Sequence, residues 1–130
     1  MSEANVELVR EGFERYMASG EPPWDLFDGE VEVHDHDTPD QGVYRGHEGI
    51  ARWFEDWGAA WAEWSIEPEE FLDAGNSVVI FVRMHTKGRS SGIEADRQDA
   101  LVYEIRHDSI TRVDAYNARA EALKAVGLEE

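Results

Sequence analysis

The N-terminal quarter of the chain passes from a helical to a strand-like pattern of apolar residues. From Val6 to Met17 the apolar side chains recur at helical spacing, and Gly20 is expected to end that helix. The two prolines that follow predict a short helical turn in the segment PPWDLF. The next segment, GEVEVHD, ends at Asp35 and alternates apolar with polar residues, which is typical of a β-strand.

The strongest helical pattern follows a loop that we predict at residues 38–44. The segment HEGIARWFEDWGAAWAEW covers residues 47–64 and predicts one long helix. Gly58 inside it costs about 1 kcal/mol relative to alanine, and we interpret this glycine as a point of close packing. The large apolar side chains share one broad face, so they are first of all expected to form core, with some rings lining a cavity. These side chains are Ile50, Trp53, Phe54, Trp57, Trp61 and Trp64.

The second half of the chain is dominated by strand patterns. Residues 65–75 predict a strand that Pro68 weakens, which is typical of a sheet edge or a bulge. Residues 77–88, 96–105 and 110–117 predict three further strands, and residues 117–127 a closing helix. The order of elements predicts an α+β fold. In it, three N-terminal helices plus a short C-terminal helix pack on a curved, mostly antiparallel sheet, and the resulting cone encloses a pocket.

Composition narrows the classes of function. The chain has 130 residues, which predicts a single domain over residues 1–130. The 12 basic and 29 acidic residues give a formal charge of −17, which disfavours nucleic acids and anionic membranes as partners. The absence of cysteine excludes disulfides, thiolate zinc sites and cysteine nucleophiles. No signal peptide or membrane-spanning pattern is recognisable, so a cytoplasmic location is expected.

Candidate chemistry concentrates in the segment VEVHDHDTPDQG, residues 31–42. Its alternating His and Asp residues suggest a metal site, but no spacing of the HExxH type is present, and we predict no metal. Strand parity favours another interpretation, because alternate side chains share a face. If Asp35 points inward, His34 and His36 point to the other face or lie at the rim. Further metal ligands by residue type alone are His47, His85, His107, Asp37 and Asp40.

Several segments resemble the NTF2-like superfamily and, within it, the SnoaL-like branch, which includes polyketide cyclases and is related to ketosteroid isomerase. The resemblance covers nearly the whole chain and rests on LVREGFERYMASG, WDLFDGEVEVHD, YRGHEGIARWF, GRSSGIEAD and DSITRVDAYNARAEAL. It implies a general base at Asp35, a protonated donor at Asp99 and a pocket aromatic at Tyr116. The tyrosine that those isomerases use as the main oxyanion donor falls on Phe13, with Tyr16 nearly one turn later. The resemblance also implies a homodimer formed through the outer sheet face.

Strand parity groups the residues that are expected to share a face, namely Val31 and Val33 with Asp35, Ile80, Val82 and Met84 opposite Phe81, Asp99 with Leu101 and Tyr103, and Asp114 with Tyr116. Parity and the resemblance together predict that Asp35, Asp99 and Asp114 converge in the pocket. Burial and mutual repulsion would raise the pKa of at least one of them, so that Asp35 serves as base and Asp99 or Asp114 as acid or oxyanion donor. Because 29 residues are acidic, each of these carboxylates could instead be solvated or paired with an arginine such as Arg112 or Arg83. The predicted substrate contacts are Tyr16, Trp53, Trp57, Val82, Met84, Leu101, Tyr103 and Tyr116.

Two small-molecule functions remain open from the sequence. The first is a cofactor-free acid–base enzyme of the isomerase or cyclase type, acting on a small hydrophobic compound that bears a carbonyl group. The alternative is a non-catalytic protein that binds such a molecule in the same cavity. A protein-interaction module is a third class, to which the acidic surface lends no distinct support. No cofactor is predicted, since neither GxGxxG nor GxxxxGK[ST] occurs.

Overall fold

The computed structural model describes residues 2–36 and 42–128. Within these ranges the fold has three α-helices, six β-strands and one 3-10 turn at Trp24–Leu26. The elements follow one another as α1 (Ser2–Ser19), β1 (Phe27–Asp35), β2 (Val43–Arg45), α2 (Gly46–Ala60), β3 (Trp61–Ala74), β4 (Ser77–Gly88), β5 (Glu94–Arg106), β6 (Ser109–Tyr116) and α3 (Arg119–Ala125).

The strands form one curved sheet in the order β2-β1-β6-β5-β4-β3. Strands β3 to β6 follow one another as hairpins, and β1 joins the sheet by pairing parallel to β6. The turn between β5 and β6 places His107 and Asp108 at positive φ angles of 51° and 61°. Both are residue types that tolerate the left-handed region, which the tightest hairpins require. The predicted α+β class and mostly antiparallel sheet are confirmed.

The predicted helix count is wrong. Of the three helices expected before the sheet, the second is only the 3-10 turn at Trp24–Leu26, so two α-helices precede the hairpins. The loop predicted at residues 38–44 also ends early, because Val43–Arg45 pairs with β1 as the short strand β2. Residues 37–41 lie outside the described part of the chain.

The long helix also ends four residues earlier than predicted, at Ala60. Trp61 has extended backbone angles (φ −124°, ψ 141°) and begins β3 directly. Its partner on β4 is Gly88, and Trp64 pairs with Thr86. Tryptophan as a residue type fits a strand as well as a helix, and pairing with β4 decides the outcome because it satisfies the backbone of the whole segment.

The end of α2 is held by a cation from the β4–β5 hairpin. Arg89 donates from its Nη2 to the carbonyl of Gly58 at 2.8 Å and from its Nε to that of Ala59 at 3.0 Å. These carbonyls belong to the last turn of the helix, where they lack intrahelical partners and where positive charge is favoured. The guanidinium thus caps the helix at the point where the chain turns into β3.

The close approach predicted at Gly58 occurs instead at Gly49, near the start of α2. A Cβ added to Gly58 would have no atom within 4 Å. A Cβ added to Gly49 would lie 2.9 Å from the backbone carbonyl carbon of Tyr44, closer than such contacts ever come in proteins. The interpretation of Gly58 is therefore wrong, and the glycine that lets α2 pack closely on β2 is Gly49.

The two faces of the sheet carry separate clusters of buried side chains. The inner face packs against α1 and α2, and contributes Ile80, Val82 and Met84 from β4. The outer face of the same strand contributes Val79 and Phe81 to a smaller cluster under α3. This division confirms the alternation predicted for β4. Among the described residues, no helix is long and apolar enough to cross a membrane.

Candidate functional site

A cavity of about 90 Å³ lies between α1, α2 and the inner face of the sheet. Its described lining is almost entirely apolar and rich in aromatic rings. Most of the residues predicted to contact a ligand are in this lining, namely Tyr16, Trp53, Trp57, Val82, Met84, Leu101 and Tyr103, together with Asp99.

The lining also contains residues that were not among the predicted substrate contacts. Phe54 follows Trp53 on α2, and Trp64 and Ile66 reach the cavity from β3. Trp64 was assigned to the long helix, whereas it belongs to β3. Ala115 on β6 lies opposite Asp35 in the parallel pair and also faces the cavity.

Asp99 is the one lining residue with a charged side chain in the part of the chain that the structure describes. Only 8% of the residue is exposed, and its Oδ1 accepts a hydrogen bond of 3.0 Å from Nε of Arg97. The guanidinium of Arg97 also lies 5.4 Å from the ring centroid of Trp57. A neighbouring guanidinium favours the ionised form of a carboxylate. Burial acts in the opposite direction, because it disfavours the charged form. The role of protonated donor that the resemblance implied for Asp99 stays a prediction.

Tyr16 and Tyr103 are the tyrosines of the described lining. Burial raises the pKa of Tyr16, and burial together with the nearby Tyr16 raises the pKa of Tyr103. The Tyr103 ring stacks on Phe13 with centroids 6.1 Å apart, and Tyr16 packs edge-on against Phe54. Both hydroxyls therefore remain protonated at neutral pH and can donate hydrogen bonds to a ligand oxygen.

Asp35 lies behind the cavity wall rather than in it. Its side chain is buried, together with those of Val31 and Val33, as parity predicted. The Oδ2 atom of Asp35 accepts a 2.9 Å hydrogen bond from the indole Nε1 of Trp53, which does line the cavity. A carboxylate in this position can orient the tryptophan ring. Its predicted role as general base stays a prediction.

Asp114 and Tyr116 lie on the outer face, so the predicted convergence of three carboxylates is wrong. In the parallel pair Asp35 stands opposite Ala115, and this register turns the residues on either side of Ala115 outward. The carboxylate of Asp114 accepts hydrogen bonds of 2.9 and 3.1 Å from Arg112. Burial raises the pKa of Asp114, but the hydrogen bonds from Arg112 and His36 outweigh it and hold that pKa below its usual value. Asp114 is therefore no proton donor at neutral pH.

The two histidines of the segment VEVHDHDTPDQG belong to the same outer face. His34 lies 2.9 Å from Glu32, and His36 lies 2.9 Å from Asp114, with its ring stacked on Tyr116 at 4.5 Å. Within residues 2–36 and 42–128, no group of three or more potential ligands could hold a metal ion. Asp37 and Asp40, which were candidate ligands by type, lie outside the described residues.

The sequence profile of the SnoaL-like domain matches residues 9–113 of the chain. No curated protein matches the sequence.

Solved structures share the fold at low sequence identity. An NTF2-like protein from Burkholderia thailandensis is 19% identical, with a TM-score of 0.77 over 96% of this chain and 97% of that one. TerC, co-crystallised with polyporic acid, is 19% identical, with a TM-score of 0.74 over 95% and 98% of the two chains. A protein from Jannaschia sp., proposed to be a SnoaL-like polyketide cyclase, is 14% identical, with a TM-score of 0.73 over 99% and 95%.

Proposed function

The chain belongs to the SnoaL-like domain family, in the NTF2-like superfamily, and on that premise we propose that it catalyses cofactor-free proton transfer on a small carbonyl compound. The observation that carries this proposal is the composition of the cavity wall. One aspartate and two tyrosines line an otherwise apolar space. Such a space desolvates a ligand, so that a few polar groups determine its orientation and chemistry.

The reaction that this wall supports is the removal and return of a proton next to a carbonyl group. The Asp99 carboxylate accepts a proton from the carbon beside the carbonyl, the C–H bond breaks, and its electron pair moves toward the carbonyl oxygen. The hydroxyl of Tyr16 or Tyr103 donates a hydrogen bond to that oxygen as negative charge develops. Protonated Asp99 then returns the proton to the same carbon or to a conjugated one, which completes an exchange or an isomerisation.

The size of the cavity limits the substrate. An engineered apolar cavity of about 150 Å³ holds benzene, and the cavity here is about 90 Å³. A ligand of the size of a small ring or larger therefore requires movement of the wall. The structural relative TerC was co-crystallised with polyporic acid, which supports a small-molecule role for this cavity.

The experiment uses cyclopentanone and related small cyclic ketones in D₂O, with loss of the α-proton signals followed by NMR. We expect the protein to accelerate deuterium incorporation, and Asp99→Asn to reduce that acceleration by about two orders of magnitude, as for a lost general base. Asp35→Asn tests the alternative base. Asp96→Asn, an exposed acid on the outer side of the same strand, is the matched control.

The measurements separate the two functions that the sequence left open. Binding is followed independently through the fluorescence of Trp53, Trp57 and Trp64, which line the cavity. Fluorescence changes without any deuterium incorporation would support the non-catalytic binding protein. Equal activity of Asp99→Asn and Asp96→Asn would remove Asp99 from the role of base, and selective loss in Asp35→Asn would assign that role to Asp35.

A further inference from the structure

Arg97 touches two residues of the cavity wall that belong to different elements. We propose that Arg97 is a positioning residue, which orients the Asp99 carboxylate and holds the ring of Trp57 against the cavity. The effect of Arg97 on turnover rests on the proposed function, whereas its effect on the orientation and titration of the Asp99 carboxylate does not.

The first contact fixes the carboxylate from its own strand. Arg97 and Asp99 are two residues apart on β5, so both side chains project from the inner face. Their partners on β4 are Met84 and Val82, which are apolar. The Nε of Arg97 lies 3.0 Å from Oδ1 of Asp99, and 28% of the arginine side chain is exposed against 8% of the aspartate side chain. A planar guanidinium at this distance restricts the rotation of the carboxylate and favours its charged form.

The second contact reaches across to α2. The guanidinium carbon stands 5.4 Å from the ring centroid of Trp57, within the range of cation–π attraction. Trp57 is part of the cavity lining. Arg97 therefore holds Asp99 on β5 and Trp57 on α2 in a defined position relative to each other. A substrate bound between them needs that defined geometry for proton transfer.

The chain contains a matched pair that separates a positioning role from a general structural one. Arg112 and Asp114 have the same spacing on β6, and Nε of Arg112 lies 2.9 Å from Oδ2 of Asp114. This second pair faces outward, away from the cavity. Loss of either arginine breaks an Arg–Asp contact within one strand, but only the loss of Arg97 alters the cavity wall.

The test compares Arg97→Met and Arg97→Gln with the control Arg112→Met. The first readout is the kcat and KM of deuterium exchange into cyclopentanone. We expect both Arg97 variants to lower kcat by roughly tenfold or more, and the acid limb of the pH profile to move to higher pH. Arg112→Met is expected to change kcat by less than about twofold. Equal kcat values and unchanged pH profiles in all variants would overturn the inference.

The second readout does not depend on turnover. The carboxyl carbon of Asp99 is titrated by ¹³C NMR in the wild type and in each variant. We expect its midpoint to move to higher pH in Arg97→Met and Arg97→Gln, and to stay in place in Arg112→Met. An unmoved midpoint in the Arg97 variants overturns the positioning role even if the enzyme is active. A moved midpoint in a protein without exchange activity supports that role and refutes the proposed function alone.

Discussion

Gly49 and Gly58, both in α2, offer a test in which the structure predicts opposite signs for the same substitution. Alanine in place of glycine in a helix is ordinarily favourable by up to about 1 kcal/mol. At Gly58 the new methyl group would meet no atom within 4 Å, so Gly58→Ala should stabilise the protein by about that amount. At Gly49 the methyl group would lie 2.9 Å from the carbonyl carbon of Tyr44 and 3.1 Å from its Cβ.

The clash at Gly49 cannot be relieved by rotating a side chain, because the nearest atom belongs to the backbone of β2. Forcing an extra methyl group into a tight site costs about 1–3 kcal/mol. The helix propensity gain is common to Gly49→Ala and Gly58→Ala, so the difference between the two variants measures the steric cost alone. With about 2.1 cal/mol/K of unfolding entropy per residue, 1 kcal/mol corresponds to about 4 °C in Tm for a chain of this length.

The assay is thermal unfolding of the two variants and the wild type, followed by circular dichroism, with urea unfolding as an independent measure of the free energy. We expect Gly58→Ala to unfold about 4–12 °C above Gly49→Ala. Equal increases in Tm for both variants would refute the close approach of α2 to β2. The double variant should show additive changes, since residues 49 and 58 are more than two helical turns apart.

Two further predictions concern the carboxylates. Trp53→Phe removes the indole donor to Asp35, and should cost about 1.5–3 kcal/mol more in unfolding free energy than Trp64→Phe. Trp64→Phe is the control, because it shrinks a ring in the same cavity. Equal losses of unfolding free energy in the two variants would show that this hydrogen bond contributes nothing to stability. Asp114→Asn should destabilise the protein at pH 7 by about 1–2 kcal/mol, a figure reduced for the partial exposure of Arg112. Because the folded-state pKa of Asp114 is lowered, its contribution is present above the unfolded value of 3.8 and is lost as pH falls through the folded value. Urea unfolding should therefore show the difference in unfolding free energy between the wild type and Asp114→Asn disappearing at low pH. A difference that does not depend on pH would contradict the lowered pKa of Asp114.

Most of the strands could be predicted from the sequence, because the alternation of side chains along a strand is a local property of the backbone. The pattern of β4 placed Val82 and Met84 on one face and Phe81 on the other, and both faces are as expected. The same alternation grouped Asp99 with Leu101 and Tyr103, and all three line the cavity. The resemblance that the motifs carried led to the correct family.

Alternation assigns residues to the two faces of a strand, but it does not say which face is the inner one. The tertiary structure decided which face of each strand contributes to the site. On β6 the grouping of Asp114 with Tyr116 was correct, yet the parallel register with β1 turns Ala115 inward and that pair outward. The end of α2 depended in the same way on a partner, because Trp61 suits a helix or a strand until β4 pairs with it. The contacts of Arg97 with Asp99 and Trp57 likewise depend on how β5 and α2 pack. The sequence by itself determined the elements and most of their two-faced patterns, whereas the register between strands, a property of residues distant in the chain, determined which carboxylate meets the cavity.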